Sequence, residues 1–123
     1  MTQSAHLSLK LRIYNEDKIA FSPGKAELLL AIHATGSISK AAKQMNMSYR
    51  RAGQLVDTMN RNFSSPLVST QTGGSYGGGA QVTAFGLQIV EKYQKMQRIA
   101  KQSIGCKMKA FFQFTLNISR DQK

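Results

Sequence analysis

Between Ser37 and Asn62 the apolar positions recur every three or four residues, in two short runs separated by a break. Ile38, Ala41, Ala42 and Met45 make one face of a first helix, and Ala52, Leu55, Val56 and Met59 one face of a second. Ser37 and Ser48 stand at the two starts, where a hydroxyl accepts a hydrogen bond from an unpaired helix N–H. Gly36 closes a helix upstream, and Asn46-Met47-Ser48 is the break, since asparagine tolerates the left-handed backbone that ends a helix. Ala42 is small enough for a close crossing, and Met45, Met47, Ala52 and Leu55 are placed to hold its angle. The outer face of the second helix keeps Tyr49, Arg50, Gly53, Gln54 and Asp57. This register predicts a helix-turn-helix over 37–62, whose second helix can set its first turn in a DNA major groove. A helical hairpin in an ordinary core is the competing reading.

Upstream, Leu7, Leu9, Leu11 and Ile13 alternate with Ser8, Lys10, Arg12 and Tyr14, the period of a strand with one wet face. Asn15-Glu16-Asp17 is turn chemistry and Lys18 to Phe21 can return, so a hairpin is predicted over 7–21, with a frayed arm as the alternative. Ser22-Pro23 opens a helix with Ala26, Leu29, Leu30 and Ile32 inward and an end near Thr35-Gly36. His33, near that end, is expected to be partly buried rather than a metal ligand, because nothing nearby supplies further ligands.

Downstream, Phe63 to Pro66 ends the helix-turn-helix. Leu67 to Thr70 and Ala80 to Thr83 flank a glycine-rich tip, which predicts a wing over 67–83. Glycine lets the backbone turn sharply there and bring peptide N–H groups to phosphates. The glycines fit neither a Walker loop, because Ala80-Gln81 follows Gly79, nor a dinucleotide fingerprint; a flexible linker is the remaining alternative. Thr83 caps a long helix over 84–104, with an apolar seam of Phe85, Ile89, Tyr93, Met96, Ile99 or Ala100, and Ile104. Lys92, Lys95, Arg98 and Lys101 lie off that stripe. A seam of that length can bury itself in a twofold copy, or it can simply cover the sheet. A membrane-surface helix fits less well, since the charges are spread around it and tryptophan is absent. After Gly105-Cys106, Phe112, Phe114, Leu116 and Ile118 alternate with polar residues; the period favours a strand over a short helix, and the tail 105–123 stays open between them. The fold class expected is α+β, a mostly helical winged helix-turn-helix in one domain, with an N-terminal β-hairpin, a β-wing and a long C-terminal dimerisation helix.

Charge narrows the partner. The chain of 123 residues carries 17 Lys and Arg against 6 Asp and Glu, a net charge of +11, which suits nucleic acid or an anionic membrane surface. No run of 18 apolar residues is present, and MTQSAHLSLK lacks the apolar core of a signal peptide. The single Cys106 cannot build a disulfide framework, so a cytoplasmic setting is expected. Two histidines, one cysteine and scattered acids offer no nucleophile–base pair and no metal spacing, so no enzyme, no cofactor and no metal is expected. Arg50 and Gln54, with Tyr49, are the candidates for base edges. Ser37, Ser39, Lys40, Lys43, Ser48 and Arg51 are the candidates for phosphate or sugar, together with the wing residues Thr72, Gly73, Gly74, Ser75, Tyr76, Gly77, Gly78 and Gly79. Arg51 has a second reading, half-buried against the first helix. The partners expected are a palindromic duplex and a second copy of the chain, and no membrane. A protein-interaction module on the same fold is the alternative from another class.

The stretch ELLLAIHATGSISKAAKQMNMSYRRAGQLVDTMNRNFSSPLVSTQTGGSYGGGAQVTAFGLQIVEKYQ closely resembles the N-terminal DNA-binding half of the ModE family of molybdate-responsive regulators. The GSIS opening, the AAK helix, MSYRRA, LVDTMN, PLV, the glycine wing and V-T-x-F-G carry the resemblance. It runs from about residue 7 to 122 and is strongest from 27 to 93. The helix-turn-helix and the helix opened by V-T-x-F-G are also similar to the LysR type, a winged dimeric layout. The resemblance implies transcription regulation, with DNA contacts at Ser48, Tyr49, Arg50 and Arg51 and at the wing. ModE regulators also carry a C-terminal molybdate-binding region, and this sequence stops where that region would begin, as in a single-domain member or a shortened form. At that junction the family pattern runs S-A-R-N-Q; here Arg120 and Gln122 match, while Ile118 and Asp121 do not. An added carboxylate repels an oxyanion, so the chain is expected not to bind molybdate tightly, and an oxyanion-responsive sensor is the alternative.

Overall fold

Hydroxyl caps set where four of the helices begin. In a computed structural model that describes residues 6–71 and 79–115, Ser22, Ser37, Ser48 and Thr83 accept from the N–H groups of Lys25, Lys40, Arg51 and Gly86 at 3.4, 3.0, 3.0 and 2.9 Å. Each oxygen satisfies a donor that has no partner inside its helix. The helices they open are α1 (Pro23–Thr35), α2 (Ile38–Gln44), α3 (Tyr49–Asn62) and α4 (Ala84–Ser103). Gly36 closes α1 at φ 71°, its N–H donating to the Ile32 carbonyl at 2.7 Å, and Asn46 follows α2 at φ 56°. Both residue types tolerate that left-handed backbone. The chain also forms β1 (Ile13–Asn15) paired with β2 (Lys18–Phe21), β3 (Val68–Thr70) paired with β4 (Ala80–Val82), and α5 (Gly105–Thr115).

One apolar core joins these elements. Ala41, Ala42 and Ala52 are at most 2% exposed, small buried side chains on the two helices α2 and α3 that pack together. Around that crossing pack Leu28, Leu29 and Ile32 of α1, Val56 and Met59 of α3, Leu67 and Val68, Ala80 and Val82 of the wing strands, and Val90 and Tyr93 of α4. Leu28 is fully buried whereas Leu30, expected inside, is 39% exposed. The reason is that α1 is covered by α2 on one side and by β4 and α4 on another. Its buried arc is therefore wider than a single stripe, and it is turned toward Leu28. Gly86 lets α4 rest on the wing base, where an added Cβ would run into the Leu67 carbonyl oxygen and come within 2.9 Å of Val82 Cγ1.

Of the two alternating segments, one expectation fails and one open choice falls to the helix. The predicted hairpin strand forms only over Ile13–Asn15, with a register slip between Ile13, opposite Phe21, and Tyr14, opposite Ile19. Leu7, Leu9 and Leu11 are half-buried and Ser8, Lys10 and Arg12 exposed, as a period of two requires. Residues 6–12 nevertheless form no ladder; at Leu11 the carbonyl accepts the Tyr93 hydroxyl of α4 at 2.6 Å instead. Alternation reports an extended segment with one covered face, and a strand needs a backbone partner besides. In the same way the segment opening at Gly105 is helical through Thr115, not a strand. Lys107, Met108, Lys109 and Ala110 are strong helix formers. Leu116 and Ile118, the rest of that pattern, lie outside them.

Candidate nucleic-acid interface

The first turn of α3 stands clear of the core. Tyr49 is 64% exposed, and Arg50, Arg51, Gln54 and Asp57 are all exposed, while Gly53 is half-buried. Arg51 is therefore not half-buried, so its second reading falls. Ser48 holds the turn through its bond to the Arg51 N–H, and Ala52, Val56 and Met59 fix its back to the core. On α2, Ser39, Lys40 and Lys43 are exposed and Ser37 is half-buried at the cap. The Thr35 hydroxyl lies 2.8 Å from the Ala31 carbonyl and 3.0 Å from that of Ser37, and accepts from the Ser37 N–H at 3.2 Å. The α1–α2 turn is thereby fixed ahead of the helix-turn-helix.

The wing is tied to the same frame. Asn60 on α3 accepts from the N–H groups of Leu67 and Val68 at 2.8 and 3.2 Å and donates to the Val68 carbonyl at 3.0 Å. Ala80 donates to the Gly36 carbonyl at 3.0 Å, and Gln71 donates to the Gly79 carbonyl at 2.9 Å across the wing base. A Cβ on Gly79 would touch the Gly36 oxygen at 3.4 Å. The predicted tip residues Thr72, Gly73, Gly74, Ser75, Tyr76, Gly77 and Gly78 lie outside the described residues. Asn60 was missed in the sequence; an amide beside Met59 at the end of an amphipathic helix, just before a proline-closed turn, is the signal that marks it. Beside the wing base a cleft of about 360 Å³ is lined by Ile32, His33, Gln71, Gln81 and Val82 among others. His33 is exposed there, not partly buried.

The electrostatics favour anions throughout. No described helix has an acid in its first turn, although the positive end of the helix dipole attracts carboxylates there. Lys25, Lys40, Arg50 and Arg51 occupy those turns instead. Burial, and then the Arg51 guanidinium, hold the Lys25 ammonium below the usual lysine range. Among the described residues no group of His, Cys, Asp and Glu is arranged to hold a metal, and no helix is long and apolar enough to cross a membrane.

The predicted dimer seam divides. Phe85 and Ile89 pack half-buried against their own core. Tyr93 is 1% exposed, enclosed by its own fold against Phe21 at a ring separation of 5.0 Å, so it is removed from the exposed seam. Met96, Ile99 and Ile104 are 44%, 54% and 38% exposed.

Known proteins place this geometry. The sequence profile of the bacterial regulatory helix-turn-helix proteins, lysR family, matches residues 24–87. The molybdenum transport protein ModE of Azotobacter vinelandii is 42% identical over 78 residues, which are 63% of this chain and 29% of that protein. The DNA-binding transcriptional dual regulator ModE of Escherichia coli is 34% identical over 97 residues, 79% of this chain and 36% of that protein. The chain thus spans about a third of the length of these relatives. The CbnR DNA-binding domain, solved in complex with DNA, shares the fold at a TM-score of 0.52 and 20% identity, covering 71% of this chain and 93% of that one. With more than half of its residues inside the profile, and with the capped helix pair and strapped wing described above, the chain belongs to the lysR family of bacterial regulatory helix-turn-helix proteins, in a ModE-like form.

Proposed function

We propose that this chain is the DNA-binding module of a cytoplasmic transcription regulator, with no enzymatic role, which binds a palindromic duplex as a homodimer. The observation that carries the reading is the exposed first turn of α3. Tyr49 and Arg50 project from a turn fixed by Ser48 and Gln54 is exposed on the turn that follows, with the exposed Lys40 and Lys43 on α2 and the wing base strapped to the α1–α2 turn. Such a turn offers side chains to base edges while its neighbours take phosphates. Arg50 reads guanine through its two parallel donors and Gln54 reads adenine. Ser37, Ser39, Lys40, Lys43, Ser48 and Arg51 hold the backbone, and the wing from Thr72 to Gly79 adds sequence-blind contacts.

Selection from a pool of random duplexes tests this directly. An enriched palindrome supports both the sequence reading and the twofold assembly; enrichment of nothing above a charge-driven background overturns the regulator reading. For the same chain, calorimetry with molybdate is expected to show no saturable sub-micromolar binding, since Asp121 brings a carboxylate to the position where the resemblance places asparagine.

A further inference from the structure

We infer that the cleft between the N-terminal segment and the second half of α4 binds a small organic carboxylate, with Arg98 and Lys101 holding its charge and Leu9 covering its apolar body. The inference stands apart from the DNA-binding reading, since these residues carry none of the contacts assigned above.

Four residues of α4 line one side of the cleft. Gln94, Gln97, Arg98 and Lys101 stand at spacings of three and four, which puts them on one face of the helix. Leu9 closes the other side from the extended segment 6–12, and the space between is about 370 Å³. Sites for small molecules run from roughly 300 to 1,000 Å³, so this one suits a short ligand. Gln94, Gln97 and Leu9 are half-buried, while Arg98 and Lys101 are exposed. Among the described residues none of the four α4 side chains makes a hydrogen bond or an ion pair. The one acid of α4, Glu91, stands two turns before Arg98, beyond the spacing at which helical charges pair, and α5 carries none. Two cations, two amides and an apolar wall therefore share one space with their polar groups unused. A few convergent polar groups beside apolar surface is the pattern of a small-molecule site.

The ligand class follows from the donors present. Arg98 offers a planar fork that matches a carboxylate, and Lys101 adds a movable point charge one turn on. The Gln94 and Gln97 amides can donate to or accept from a polar substituent. A phosphate group is commonly met by the free backbone N–H groups of a helix N-terminus. This cleft lies on the second half of α4, where those groups are taken up inside the helix. The negative end of the helix dipole there keeps both cations charged. Leu9 gains only from apolar carbon on the ligand, which sets an organic acid apart from a bare oxyanion. A ligand held in this way joins segment 6–12 to α4 at a second point, besides the bond from the Tyr93 hydroxyl to the Leu11 carbonyl.

The test is titration of the whole chain with phenylacetate, hexanoate, the neutral phenylacetamide and inorganic phosphate, at matched ionic strength, followed by backbone amide NMR and by Tm. At least one of the two carboxylates is expected to shift the Leu9 and Gln94 to Lys101 amide signals saturably in the millimolar range. The same compound should raise Tm, because it binds the folded state alone. Arg98→Gln should weaken that binding by about tenfold, while Lys101→Arg and a remote control, Lys107→Gln on α5, should keep it. Arg98 is exposed and outside the core, so the free variant should melt like wild type. The comparison of phenylacetate with phenylacetamide needs no variant: equal responses would show that charge is not read and overturn the inference. Saturation by phosphate as strong as by the carboxylates would make this a bare-anion site and overturn it too. So would the lack of saturable binding by both carboxylates, or binding that Arg98→Gln leaves unchanged. If Arg98→Gln lowers the salt slope of duplex binding by about 1 and leaves carboxylate binding as it was, the cleft belongs to a DNA phosphate, and the inference falls while the regulator reading stands.

Discussion

Arg50 and Arg51 are sequence neighbours about 100° apart around α3, and the proposed function gives them different partners, a base edge and a phosphate. Arg50→Ala is expected to cost about 1–3 kcal/mol on a selected duplex and to relax sequence choice at one position per half-site. Equal losses on selected and random duplexes would make Arg50 a phosphate contact and remove it from base reading. Tyr93 shows a different residue-scale effect. Its hydroxyl donates to the Leu11 carbonyl, tying the N-terminal segment to α4. Tyr93→Phe should destabilise the fold by about 0.5–1.5 kcal/mol, read as a fall in denaturation midpoint. Burial pushes the phenol up, the Arg12 guanidinium partly offsetting it. The folded state therefore keeps this proton at a pH where the unfolded chain has released it. The stabilisation is complete below about pH 10 and is lost as pH climbs through the raised folded value. Alkaline unfolding curves of wild type and Tyr93→Phe should converge there; parallel curves would rule the phenol out as a cause.

At the scale of elements, each boundary depends on a few bonds that propensity alone does not reveal. Asn60 joins α3 to the wing through three hydrogen bonds, so Asn60→Ala leaves the Leu67 and Val68 N–H groups unpaired. A loss of about 1–3 kcal/mol in thermal stability is expected, with Asn60→Asp falling between, because it keeps the acceptor and loses the donor. If the alanine variant melts like wild type, the wing is held by β3–β4 pairing and packing alone. What the sequence disclosed at this scale follows the same division. Ser22-Pro23, Ser37, Asn46, Ser48 and Thr83 act within a few residues of their own positions, so the starts of four helices and the break after α2 were legible. The N-terminal strand was not, because strand and covered coil share a period of two, and only a partner elsewhere in the chain separates them; after Gly105 the period of two pointed to a strand where the local residues form a helix. Leu28 and Leu30 were transposed for a related reason: the number of neighbours around α1 sets the width of its buried arc.

The whole molecule leaves apolar surface that its own core does not use. Met96 and Ile99 on α4, with Ile104 at its end, are exposed in line with the half-buried Phe85 and Ile89. Tyr93, at the same helical spacing, is closed inside. Periodicity identified a face and could not say which part of it the monomer itself would cover. A twofold copy laid along the exposed part would bury Met96 and Ile99 against their equivalents. It would also set two α3 helices one duplex turn, roughly 34 Å, or a multiple of it apart, as a palindrome requires. Met96→Glu puts a carboxylate into that contact from both sides, where it would lose water and face its own like charge. The monomer fold should survive, because Met96 is 44% exposed and lies outside the core. Sedimentation should then find wild type dimeric and the variant monomeric at micromolar concentration, with near-identical circular dichroism, and binding to a full palindrome should fall to that of a half-site. A variant that stays dimeric would move the interface to α5, where Phe114 is 89% exposed. A monomeric wild type would remove the half-site spacing along with the dimer.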